Sequence, residues 1–112
     1  MTRGKYLGEF EQLVLLAVAR LEDDAYGMSI RREIEANSER HVAIGSVYTT
    51  LERLRDKGFV QDREGDTSPE RDGRARKFFD LTPQGVEVLE EARALQERMW
   101  SGLELRRGEG EA

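Results

Sequence analysis

A mainly α chain carrying one small β-hairpin is predicted by three observations. Apolar residues recur at helical spacing in three successive segments, the period then becomes extended on either side of a polar loop, and a Thr-Pro pair opens a final long helical stretch. The predicted order is helix, helix, helix, hairpin, long helix.

In LGEFEQLVLLAVARL, residues Leu7, Phe10, Leu13, Val14, Ala17 and Leu21 recur at threes and fours, and Leu15, Leu16 and Val18 widen the stripe. A first helix buried on more than one side follows. EDDAYGMSIRREIEANS supplies Asp23 and Asp24 as cap candidates for a second helix, with Ile30 and Ile34 inward, Arg31, Arg32 and Glu35 outward, and Asn37 and Ser38 at its end. IGSVYTTLERLRDKG repeats the pattern through Val47, Leu51 and Leu54, with Ser46 as N-cap and Gly58 as stop. FVQDR at 59–63 and ARKFFDL at 75–81 read as strands around EGDTSPERDGR. Thr82 and Pro83 then start the last helix, although Gly85 stands where a capping-box acid belongs. Its stripe of Val88, Ala92, Leu95, Met99 and Leu103 runs to about Leu105. At about 1.5 Å per residue that helix would extend on the order of 34 Å, longer than a small three-helix core covers.

The chain has 112 residues, enough for one domain with an appended helix, and 37% of them are charged. It contains no cysteine and one histidine, His41, which removes disulfide, thiolate and most histidine-based metal chemistry. No phosphate loop, carboxylate dyad or nucleophile motif appears, so neither an enzyme nor a bound cofactor is expected. The longest apolar run, at 13–19, falls well short of the roughly 20 residues that span a bilayer, and Glu9 and Glu11 just before it do not form a signal-peptide flank. A cytoplasmic location without a membrane partner is the expectation. Net charge is −5, but residues 26–78 are close to neutral and the surplus acid lies toward the two ends. A local contact with an anionic partner therefore remains compatible with an acidic chain.

The element order is the winged helix-turn-helix plan, in which the third helix enters the major groove and the hairpin flanks it. With Val47, Leu51 and Leu54 inward, the helical period turns Gly45, Ser46, Thr49 and Arg53 outward, with Tyr48 at the flank. Arginine pairs bidentately with guanine, threonine and tyrosine reach thymine methyls or phosphates, and a glycine permits close approach. A solvated helix face is the plain alternative. The loop return carries Arg74, Arg76 and Lys77 with no acid over 73–77, suiting backbone or minor groove, while Phe79 and Leu81 pin the strand and leave Arg74 and Arg76 free. Met99 and Trp100 suit a dimer seam better than a ligand pocket.

LGEFEQLVLLAVARL, DAYGMSIRREIE, IGSVYTTLERLRDKGFV and SPERDGRARKFFDLTPQG, in this order and spacing, resemble the PadR-like transcriptional regulators over residues 7 to about 105. The resemblance implies a homodimeric repressor, of its own promoter or a neighbouring operon, joined through the first and last helices. It places Ser46, Tyr48, Thr49 and Arg53 on the recognition helix, Tyr26 and Gly27 at the start of the second helix, and Gly73, Arg74, Arg76 and Lys77 on the wing. Residues 1–82 are then the DNA-binding domain, 83–105 a dimerisation helix and 106–112 a fraying tail. Leu7, Phe10, Leu95, Met99, Trp100 and Leu103 are the candidates for the dimer seam or for a small apolar or aromatic effector. The implied partners are double-stranded DNA with a palindromic operator, a second copy of the chain, and that effector. A winged-helix module that binds an acidic protein instead of DNA is the rival reading.

Overall fold

The computed structural model describes residues 6–67, 75–106 and 108. Helix α1 (Glu9–Leu21) leads through a 3-10 turn (Glu22–Asp24) to α2 (Gly27–Ser38) and α3 (Ile44–Asp56). Strands β1 (Val60–Thr67) and β2 (Ala75–Leu81) pair antiparallel, and α4 (Pro83–Trp100) follows. The protein is thus mainly helical with one small hairpin, as its periodicity predicts. Within the hairpin Val60 faces Leu81, Asp62 faces Phe79 and Arg63 faces Phe78, with an irregularity between Glu64 and Thr67. Among the described residues no helix is long and apolar enough to cross a membrane.

The core joins the inward faces that the sequence patterns specify. Val14, Leu15 and Val18 of α1 meet Ile30 and Ile34 of α2, Val47, Leu51 and Leu54 of α3, and Val60, Phe79 and Val88, all buried. Each fully buried aliphatic side chain contributes roughly 1.5–3 kcal/mol relative to exposure. Leu16 departs from the widened stripe, being 45% exposed.

Two expected caps are corrected. Asp23 and Asp24 lie in the 3-10 turn, and α2 starts only after Tyr26. The intervening backbone extends to pair with the hairpin: the Phe79 amide donates to the Ala25 carbonyl at 2.8 Å, and Tyr26 bridges Phe78. Ser29 closes the helix start instead, its hydroxyl accepting from the Tyr26 amide at 2.9 Å and donating to the Asp24 carbonyl at 2.6 Å. Ser46 is likewise the third residue of α3 and not its cap, because the helix begins at Ile44 with Ala43 in the cap position. The Val42 amide, held by Glu35 Oε2 at 2.8 Å, fixes the chain before this early start.

Gly58 does end α3, with φ +86 and with the Phe59 amide donating back to the Leu54 carbonyl at 2.9 Å. At the start of α4 the Thr82 hydroxyl accepts from the Gly85 amide at 3.0 Å, with Pro83 in the first turn. That helix stops at Trp100, short of the expected Leu105. Its capping residue Ser101 leaves the helical conformation, Gly102 takes φ +73, and Leu103 lies beyond the helical stripe.

Glu11 of α1 is buried and ties the helix to the end of α3, its Oε2 lying 3.0 Å from Lys57 Nζ. Burial opposes its charge, but the Gly8 amide, Lys57 and Arg53 outweigh that and hold the carboxyl below its ordinary value. A depressed folded value stabilises the fold above the unfolded value of about 4.3, and that contribution disappears as pH falls through the folded value. We expect Glu11→Gln to cost about 1–2 kcal/mol at neutral pH, with the gap to the parent narrowing below pH ~4. Urea unfolding at both pH values reads this out; a gap independent of pH would mean that the ionised pair contributes nothing.

Candidate nucleic-acid interface

Helix α3 turns Val47, Thr50, Leu51 and Leu54 into the core. The same rotation exposes Gly45, Ser46, Thr49 and Arg53, and leaves Tyr48 47% exposed. A shallow concavity runs along this face, lined by Gly45, Ser46, Thr49, Thr50 and Arg53 together with Phe10 of α1. Phe10, expected with the seam residues, is therefore placed beside the α3 face. The two arginines of α3 differ in a telling way. Arg55 is 3.1 Å from Asp62 of the wing, whereas Arg53 has no carboxylate partner among the described residues. Its charge reaches Glu11 and helps to hold that carboxyl below its ordinary value.

Gly27 and Tyr48, which sequence reasoning places on separate motifs, belong to one construction. Gly27 is buried, and a Cβ there would collide with the Tyr48 ring and hydroxyl. A side chain at position 27 would have to displace the Tyr48 ring, which lies over the start of α2. Tyr26 in turn packs edge-on against Phe78 of β2, ring centroids 5.5 Å apart. The guanidinium of Arg76 stacks over the Tyr26 ring at 3.9 Å, and Arg32 Nη2 donates to the Tyr26 hydroxyl at 3.0 Å. The flank of α3, the head of α2 and the hairpin thus meet at Tyr26 and Gly27.

Two wing residues are not as the sequence suggests. Arg76 is not free at the strand's outer end, because alternation along β2 puts it on the Phe78 face, where Tyr26 captures it. Lys77 takes the opposite face, 3.5 Å from Asp62, which it shares with Arg55. Burial raises the Asp62 carboxyl's affinity for a proton, but Arg55 and Lys77 prevail and keep it below its ordinary value. Gly73 and Arg74 lie outside the described residues. The helical period places Arg32 only on an outer face and gives Phe78 no role. The available signal was an aromatic at 78 on the polar side of a strand whose Phe79 faces the core.

The apolar candidates of α4 fall elsewhere. Leu7 and Leu95 line a groove between the chain start and α4, with Gln12, Val88 and Ala92. Past this groove Met99 is 71% and Trp100 54% exposed, and Leu103 is also exposed. On the opposite face of α4, Leu16 and Leu81 meet Val86 and Leu89 in a second apolar groove, which Gln12 of α1 also lines.

A profile of the transcriptional regulator PadR-like family matches residues 15–91. An uncharacterized protein of Lysinibacillus sphaericus, protein X, is 30% identical over 86 residues, spanning 75% of this chain and 74% of that protein. Among solved structures, one described as the complex structure of hsRosR-S4 superposes with a TM-score of 0.72 at 24% identity, covering 98% of this chain and 88% of the other. A PadR family transcription regulator from hypervirulent Clostridium difficile gives a TM-score of 0.65 at 24% identity, with 82% and 90% covered. Their architecture is the winged helix described above.

Proposed function

The chain belongs to the PadR-like family of transcriptional regulators and is a DNA-binding regulator, and from that premise we propose that it is a homodimeric repressor whose α3 reads the major groove. The observation that carries this reading is the outer face of α3, where Ser46, Thr49 and an arginine without a carboxylate partner among the described residues line a shallow concavity and Tyr48 is exposed on the same helix. Small hydroxyls, one aromatic and one guanidinium without a carboxylate partner suit base edges, whereas a merely solvated helix has no use for an uncovered tyrosine. Neighbouring Arg55 is already neutralised, so Arg53 is the α3 cation that remains for DNA.

The second copy is expected along α4. Leu95, Met99 and Trp100 follow one another on its distal half, and each is at least 48% exposed. Two recognition helices related by a two-fold axis fit half-sites about 34 Å apart, or a multiple of that, on a palindromic operator. An apolar effector acting at the seam would relieve repression by favouring one spacing of the two helices over another. The natural target is the DNA upstream of its own gene or of a neighbouring operon.

Replacing Tyr48 and Arg53 together with alanine is expected to remove discrimination between upstream DNA and a scrambled duplex while residual binding persists. Each bidentate base contact accounts for about 1–3 kcal/mol of discrimination, so a loss on the order of 100-fold is anticipated. Mobility shifts on both duplexes measure it. Undiminished preference in the double variant would overturn the assignment of α3, and a parent protein showing no preference would return the protein-binding module to consideration.

A further inference from the structure

Tyr26 stands where three elements meet, and its position is fixed from every side. Its amide donates to Ser29 Oγ, its carbonyl accepts from the Ile30 amide at 2.8 Å, and its backbone bridges Phe78 of β2. Its ring is held edge-on by Phe78. Onto this fixed ring come two guanidinium groups. Arg76 of the wing lies 3.9 Å from the ring centroid, and Arg32 of α2 lies 5.9 Å from it while donating to the hydroxyl.

Neither arginine has a carboxylate partner among the described residues, in a chain with more acidic than basic groups. Arg63, on the other side of Phe78, provides the contrast. It also stacks, at 5.1 Å, but Asp80 neutralises it at 2.9 Å and the Asp23 carbonyl takes a further N–H at 3.2 Å. Arg63 therefore serves to hold the wing. Arg32 and Arg76 are restrained without being neutralised, since stacking occupies a guanidinium's face and leaves its N–H edges available to oxygen acceptors. Two like charges gathered on one ring create a local positive potential best satisfied by a shared anionic partner.

We propose that Tyr26 is a positioning residue that presents Arg32 and Arg76 as one clamp for the DNA phosphate backbone, coupling the wing to α2. The inference rests on the DNA-binding reading. Tyr26 acts through the two arginines and reads no base. The benefit is pre-organisation: an arginine already ordered on a ring loses less rotamer freedom when it meets a phosphate than one on a free arm.

Double-mutant cycles on the full chain test this, with a random-sequence duplex several turns long titrated over a range of salt. Arg76→Gln is expected to weaken binding about tenfold and to lower the salt slope by about 0.9 in the parent, as for one lost phosphate contact. In the Tyr26→Leu background the same change should cost less than about twofold, because the arginine is no longer held. Tyr26→Phe keeps the ring and removes the hydroxyl, so it should preserve the Arg76 effect and abolish that of Arg32→Gln. This second cycle decides the matter if Tyr26→Leu fails to fold. Full, multiplying losses in both cycles would overturn the clamp while leaving DNA binding intact. A parent protein with no salt-dependent affinity for duplex would instead overturn the DNA-binding reading on which the clamp rests.

Discussion

Substitution of both Leu95 and Met99 by lysine is expected to leave a folded monomer that binds a two-half-site operator about 10²–10⁴-fold more weakly than the parent. Both side chains are exposed on a single chain, 48% and 71%, so the core is not called upon to accommodate the change. The seam proposed along α4 would instead receive two charges on each copy, and like charges meeting in a desolvated interface oppose association strongly. Linked recognition helices gain their affinity from effective concentration, and that gain is lost when the copies part. Sedimentation should report a monomer, far-ultraviolet dichroism should be unchanged, and affinity for an isolated half-site should stay within a few-fold. An effector that works through the seam should also lose its influence. Persistence of the dimer would place the seam elsewhere, the groove of Leu16, Val86 and Leu89 being the next apolar surface.

The fold was legible because its elements are local. Helical spacing set the inward faces of α2 and α3, and alternation set Phe79 toward the core, since each depends only on a period and on which residues are apolar. Departures arose where long-range contacts override local preference. Tyr26 pairs with Phe78, more than fifty positions away, and this extended pairing displaces the α2 start from the aspartates to which propensity points. Ser46 is not the cap because the Val42 amide, held by Glu35 of α2, fixes the chain before an earlier helix start, and this leaves the hydroxyl on the outward face. In the candidate site the residue types on α3 were readable, but their availability was not. Nothing local distinguishes Arg53 from Arg55, and the difference comes from Asp62 on the wing. The Tyr26 cluster was still less accessible, because its members come from two distant segments of chain and meet only through the bridge.

Gly85→Ala sets two physical effects against each other, and their sizes decide the outcome. In an exposed helix the exchange would stabilise by about 1 kcal/mol, alanine being the better helix former. Here, however, a Cβ would run into the main-chain carbonyl of Phe59, which cannot rotate aside as a flexible side-chain tip can. That carbonyl also accepts the Thr82 amide at 3.1 Å, while the Thr82 hydroxyl donates to the Gly58 carbonyl at 2.6 Å. The first turn of α4 is thus bolted directly to the turn that ends α3, and space for the joint exists because position 85 carries no side chain. Relief requires α4 to move outward, loosening Val88 from the core and breaking the cap together. We expect a net loss of about 2–3 kcal/mol and a fall in Tm of roughly 10 °C, after the propensity gain is included. Thr82→Ala, which removes the cap and the hydroxyl's bond to Gly58 but keeps the Thr82 amide on the Phe59 carbonyl and the close contact at Gly85, should cost about 1–2 kcal/mol. Thermal melts of the two variants separate close contact from capping: if Gly85→Ala proves the milder, the helix has room that the joint does not provide. The same joint explains why the capping-box acid is missing from this helix start. A side chain at the third helical position would have to occupy the space that the Phe59 carbonyl fills, so the packing of α4 onto the turn that ends α3 takes precedence over local capping.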